Sequence, residues 1–142
     1  MKGLSQKNTS SLFAYGTLCA PVVINKVIGR VPYGTKATIK GYSCYQVNGC
    51  LFPGVRASGL ESETPGILYE GITPNEFSLL DEYEDDFYER VSVQVFSEED
   101  LCYCFAQIYI IPEPHWHVLS SRHWDLDEFC AEHVELFLSE RF

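Results

Sequence analysis

Ser11-Leu12-Phe13-Ala14-Tyr15-Gly16-Thr17-Leu18 decides how the rest of this sequence is read. A short apolar run closed by glycine is the pattern of a buried strand ending in a tight turn. Working outward, Pro21 suits a first helical position, Val22 to Ile28 supplies an apolar stretch, and Gly29 is a left-handed stop, so a helix is expected directly after the turn. On the other side, Met1 to Ser10 is polar and is expected to be a flexible tail, with a single domain over residues 11–142.

Further along, Thr35 to Val47 is rich in β-branched and aromatic residues and reads as one or two strands broken at Gly41, with Asn48-Gly49 as the following turn. Phe52-Pro53-Gly54-Val55 reads as a loop or edge segment, Ser58 to Pro65 as polar and exposed, and Gly66 to Gly71 as a short strand. Thr73-Pro74-Asn75-Glu76 is a capping box with proline in first place, and it starts a helix whose Phe77 and Leu80 face a core. Arg90 to Phe96 alternates valines with polar residues. Cys102 to Ile111 is more continuously apolar and is expected to be a central strand, its hairpin partner through Ser97 to Asp100. After Pro112-Glu113-Pro114, Leu126, Phe129, Cys130, His133, Val134, Phe137 and Leu138 recur at steps of three and four behind Asp125, which predicts one amphipathic helix. Strands mixed irregularly with helices give an α+β fold: a mixed sheet of five to six strands, with closure into a barrel open to it.

Composition narrows the function classes. With 10 Lys plus Arg against 20 Asp plus Glu, the formal charge of −10 repels phosphodiester backbones and anionic lipid, so no nucleic-acid or membrane partner is expected. No apolar run approaches a membrane span and no apolar signal region opens the chain, so a cytoplasmic location is expected. The six cysteines then read as reduced thiols. No cofactor and no metal are expected: His115, His117 and His123, with Cys102 and Cys104, lack the spacings of structural zinc. Cys19 is a weak candidate nucleophile, because no histidine lies near it in sequence.

Two stretches can carry chemistry. At Tyr15-Gly16-Thr17-Leu18, a glycine turn can aim consecutive N–H groups into one concavity that holds negative charge, although a purely structural turn is the competing reading. At Asp81 to Glu89, six carboxylates in nine residues repel one another and raise the pKa of the most buried. Helix phase singles out Glu84, four residues after Leu80 and seven after Phe77. The competing reading is a solvated acidic helix end with Glu84 paired to Arg90.

Together these stretches resemble the γ-glutamylcyclotransferase-like family, particularly the branch first known from avirulence-induced plant proteins. The likeness is carried by Phe13-Ala14-Tyr15-Gly16-Thr17-Leu18, by Leu80-Asp81-Glu82-Tyr83-Glu84 and by Tyr88-Glu89-Arg90. Gly41-Tyr42, Phe52-Pro53-Gly54, Gly66-Ile67-Leu68-Tyr69 and Trp124 to Phe129 with His133 extend it over the chain from about Leu12 onward. The resemblance implies a small mixed β-barrel flanked by helices. It also implies a small-molecule γ-glutamyl substrate held by the turn Tyr15, Gly16, Thr17 and Leu18, Glu84 as acid/base, and Tyr88 in the pocket. One departure is Asp85, where the family often has glycine; an acid there recharges the pocket rim. A γ-glutamyl amide carries its own nucleophile, so the implied reaction, closure to 5-oxoproline with release of an amine or amino acid, needs neither an enzyme nucleophile nor a metal. The alternative is a non-catalytic small-molecule-binding module on the same fold. Oligomeric state is left open.

Overall fold

The computed structural model describes residues 8–142; most of the expected N-terminal tail, residues 1–7, lies outside the described residues. Five strands close a barrel in the order β1-β5-β2-β6-β7: β1 Ser10–Ala14, β5 Glu63–Ile72, β2 Gly34–Lys40, β6 Glu89–Ser97 and β7 Cys102–Ile110. All neighbours are antiparallel except β1 and β7, which meet in parallel at Leu12 and Gln107, so the barrel is mixed as expected. A second sheet, ordered β4-β3-β8, is built from β3 Tyr42–Val47, β4 Pro53–Ala57 and β8 Leu119–His123.

Why β1 is apolar without alternation follows from its position. Phe13 joins Ile39, Leu68, Val95 and Ile108 in one core cluster, while Leu12 and Ala14 join a second with Val23, Ile24, Phe77, Leu80 and Phe137 of the helices. Both faces of the strand are buried, so alternation has no solvent side to record. Burying one such side chain contributes about 1.5–3 kcal/mol.

The helices follow their local signals. α1, Pro21–Ile28, has proline in its first turn and ends at Gly29, whose φ of 84° is the left-handed stop. α2, Pro74–Tyr83, is fixed by the reciprocal capping box: Thr73 Oγ1 accepts from the Glu76 N–H at 3.2 Å, and Glu76 Oε1 accepts from the Thr73 N–H at 3.0 Å. Losing such a cap costs about 1 kcal/mol.

Three expectations are corrected, and one strand is new. Strand β5 begins at Glu63, inside the stretch read as polar and exposed, because its first residues pair with Ile39 and Lys40 at the end of β2. The first half of β7 is not central: Tyr103 and Phe105 are exposed on the barrel's outside. β8 was not foreseen. Finally, the C-terminal helix is not continuous: α3, Leu126–Glu128, passes through a π-turn at Phe129–His133 into α4, Val134–Arg141. The wider π-turn shifts the phase, so Phe129 and Phe137 stay buried while Cys130 turns to solvent. No helix among the described residues is long and apolar enough to cross a membrane.

Candidate active site

Strand β1 delivers Tyr15 to Leu18 to the end of the barrel, where Thr17–Cys19 makes a single 3-10 turn. Gly16 has φ −120° and ψ −135°, so its need for glycine is not the left-handed backbone of a nest. A Cβ there would stand 2.8 Å from Cγ and 3.0 Å from Cδ of Pro53, at the start of β4. Close approach of the proline ring imposes the glycine. Within the turn, Cys19 N–H bonds to Gly16 O at 2.9 Å and Ala20 N–H to Thr17 O at 3.1 Å. The amides ahead of them, on Thr17 and Leu18, belong to the first turn and have no acceptor within it.

The turn is pinned from several sides. Thr17 Oγ1 lies 2.8 Å from the Tyr83 hydroxyl, the Tyr69 hydroxyl donates to Leu18 O at 2.8 Å, and the Tyr15 hydroxyl donates to Tyr109 O at 2.6 Å. Tyr88 donates its hydroxyl to the carbonyl of Pro53, the same proline that packs on Gly16. Burial pushes the phenols of Tyr15, Tyr83 and Tyr88 above their ordinary range, so each remains a neutral hydrogen-bond donor.

Glu84 is the cap residue just beyond α2. Its N–H still bonds to Leu80 O at 3.1 Å and its φ of −76° is helical, whereas its ψ of 146° leaves the helix. Since φ sets where Cβ points, the side chain inherits the helical phase that singled it out, even though the chain then departs. Glu84 is half-buried against the cavity, and its carboxylate has no hydrogen-bond or ion-pair partner among the described residues. Burial pushes its pKa up to about 8; the nearby Arg141 guanidinium opposes this, and the carboxylates of Asp85 and Asp81 add to it.

The pairing of Glu84 with Arg90 does not occur. Arg90 Nε instead donates to Asp81 Oδ1 at 2.9 Å, and the Tyr109 hydroxyl donates to the same oxygen at 2.6 Å. The candidate nucleophile Cys19 is also a structural group: its thiol donates to Ala14 O at 3.1 Å, and burial pushes its pKa up to about 12. All six cysteines are unpaired, and no group of three or more metal-ligating side chains gathers among the described residues.

One cavity of about 30 Å³ is lined by all the residues singled out from sequence, Tyr15, Gly16, Thr17, Leu18, Glu84 and Tyr88. Its wall also contains Phe52, Pro53, Tyr83, Asp85, Tyr109 and Arg141. Arg141 had no signal at the level of motifs. It lies four residues after Phe137 and three after Leu138, a helical spacing on the inward face that is the one signal by which it could have been found.

Residues 12–126 match the family described as gamma-glutamyl cyclotransferase, AIG2-like. The chain belongs to this family. AIG2-like protein D of Arabidopsis thaliana is 31% identical over 90% of the chain and 84% of its own length. A solution structure of another Arabidopsis thaliana protein superposes with a TM-score of 0.70 at 26% identity, covering 94% of this chain and 88% of that one. A structure named gamma-glutamyl cyclotransferase shares the fold with a TM-score of 0.62 at 16% identity, over 72% of this chain and 66% of its own. The description of the gamma-glutamyl cyclotransferase, AIG2-like family names an activity on small γ-glutamyl compounds.

Proposed function

We propose that this chain, acting as one domain over residues 11–142, is a γ-glutamyl cyclotransferase that uses Glu84 as its acid/base. The observation that carries the reading is the carboxyl of Glu84, which lines the same cavity as the Tyr15 to Leu18 turn and lacks a partner among the described residues; burial there pushes its pKa up to about 8. Carboxyls without partners are rarely kept in such surroundings unless a ligand uses them.

In the proposed reaction, Glu84 as carboxylate takes a proton from the substrate's α-ammonium. The freed amine attacks the γ-carbonyl carbon, closing a five-membered ring, and the carbonyl oxygen becomes an oxyanion. Main-chain N–H groups of the turn stabilise that charge. As the carbonyl re-forms, the bond to the leaving nitrogen breaks and Glu84 returns the proton to it. The second proton lost by the attacking nitrogen accompanies it, giving 5-oxoproline and an ammonium product. Intramolecular attack supplies effective molarities of about 10⁵–10⁸ M in well-oriented cases, and a positioned acid/base about 10²–10⁴-fold more. The chemistry calls for no metal. Unpaired cysteines fit a reducing, cytoplasmic setting.

A cavity of about 30 Å³ holds one or two waters rather than a glutamyl group. Binding therefore requires side chains at its mouth to withdraw. Asp85, whose side chain is 39% exposed, is placed to do so. The test is incubation with a panel of γ-glutamyl amino acids and γ-glutamylamines, with 5-oxoproline as the readout. Release from at least one supports the reading, and binding without release assigns the protein to a ligand-binding module.

A further inference from the structure

The pocket has a buried end and an open end. Thr17 and Leu18, each 6% exposed, form the first. At the second stands Arg141, the one cationic residue lining the cavity among those described. Its Cζ lies 4.6 Å from the centre of the Tyr83 ring and 5.7 Å from that of Phe52, so two aromatic faces fix the guanidinium. Its Nη2 donates to the Tyr83 carbonyl. The nearest carboxylate oxygen, Asp85 Oδ1, is 3.8 Å from Nη2, an ion pair without a hydrogen bond. A guanidinium carries five N–H donors in a rigid planar fork. Most of that fork is unused by the described residues.

We propose that Arg141 is the carboxylate-recognition residue of this pocket, pairing the free edge of its guanidinium with a carboxylate of the substrate. The identity of the ligand rests on the cyclotransferase reading above. In a chain of net charge −10, with Glu84 and Asp85 on the same wall, this guanidinium and the turn amides are the pocket groups suited to attract an anionic ligand. Exchange costs little, because a partly exposed ion pair at 3.8 Å that makes no hydrogen bond contributes little. A bidentate, charge-assisted pair on a pre-oriented fork contributes far more.

Two substrate carboxylates have this chemistry: the α-carboxylate of the γ-glutamyl group, and that of the leaving group when the leaving amine is an amino acid. The full chain and its Arg141→Gln and Arg141→Lys variants separate them, using γ-glutamylglycine and γ-glutamylmethylamine as probes. KM and kcat are read for 5-oxoproline release, and Kd by calorimetry in a Glu84→Gln background where no turnover interferes. Arg141→Gln is expected to raise KM and Kd about 10–100-fold, with kcat held within about threefold, and Arg141→Lys to raise them less. Losses on both probes assign the contact to the α-carboxylate; losses on the glycine compound alone assign it to the leaving group. Values within about twofold of wild type for both probes overturn the proposal. Should the Gln variant fail to fold, the Lys variant carries the same comparison. A wild-type protein that releases nothing but binds through Arg141 defeats the cyclotransferase reading and leaves this contact standing, whereas one that binds neither probe defeats both.

Discussion

Thr17 Oγ1 and the Tyr83 hydroxyl lie 2.8 Å apart across 66 residues of sequence, and this contact ties the turn after β1 to the end of α2 one residue before Glu84. The relative placement of the turn amides and the carboxyl is thus set by a side-chain bond as well as by core packing. Because Thr17 is buried, removing its partner leaves an unsatisfied hydroxyl.

Tyr83→Phe should therefore lower stability by about 1–2 kcal/mol in chemical denaturation. It should also lower kcat/KM by about 10–100-fold, an effect of a displacement of up to about 1 Å between groups proposed to meet the same substrate. Unchanged kcat/KM would mean that packing alone fixes the geometry.

Gly16→Ala places a Cβ 2.8 Å from the Pro53 ring, which a proline cannot fold away. The clash should cost about 1–3 kcal/mol. It should also depress activity, because Pro53 carries the carbonyl that accepts from Tyr88. Thermal unfolding and 5-oxoproline assays on the same preparation check both effects.

The pH dependence follows from Glu84. A base must start deprotonated, and with its pKa pushed up to about 8, kcat/KM should rise about tenfold per pH unit on the acid side and level off near pH 8. Stability runs the other way. Between the ordinary carboxylate value of 4.5 and about 8, the unfolded chain has released this proton and the folded chain has not, so Glu84's contribution is present at low pH and lost as pH rises through that window. A kcat/KM profile that falls from pH 6 to pH 8 would contradict the assignment of Glu84 as the initial base.

Thiol chemistry provides a separate check. Cys102 and Cys130 are exposed, whereas Cys19 is buried with its pKa pushed up to about 12. Alkylation near neutral pH should modify the exposed pair first and leave 5-oxoproline release intact. Inactivation that tracks Cys19 labelling would reinstate the thiol as a reacting group.

How far the sequence could be read depends on the type of signal. The turn at Gly16, the capping box at Thr73 and the inward phase of Glu84 are local patterns, and each is where local rules put it. Strand β8, Leu119–His123, escaped because a short edge strand with three exposed residues carries no apolar alternation. The π-turn at Phe129–His133 escaped because the apolar steps of three and four look the same until the extra residue shifts them. Asp85 was legible as an oddity in the motif. Its partner Arg141 was not, since a basic residue in a last helical turn is ordinarily explained by the helix dipole. Nothing in sequence joins the two.

Glu84→Gln tests the central claim most directly. The account predicts that 5-oxoproline release falls to background while the fold is retained, and that the variant is more stable than wild type at pH 8 by about 1–3 kcal/mol, with little difference at pH 5. Release at near wild-type rate from the Gln variant would show that the carboxyl at position 84 moves no proton in the reaction, and would contradict the account.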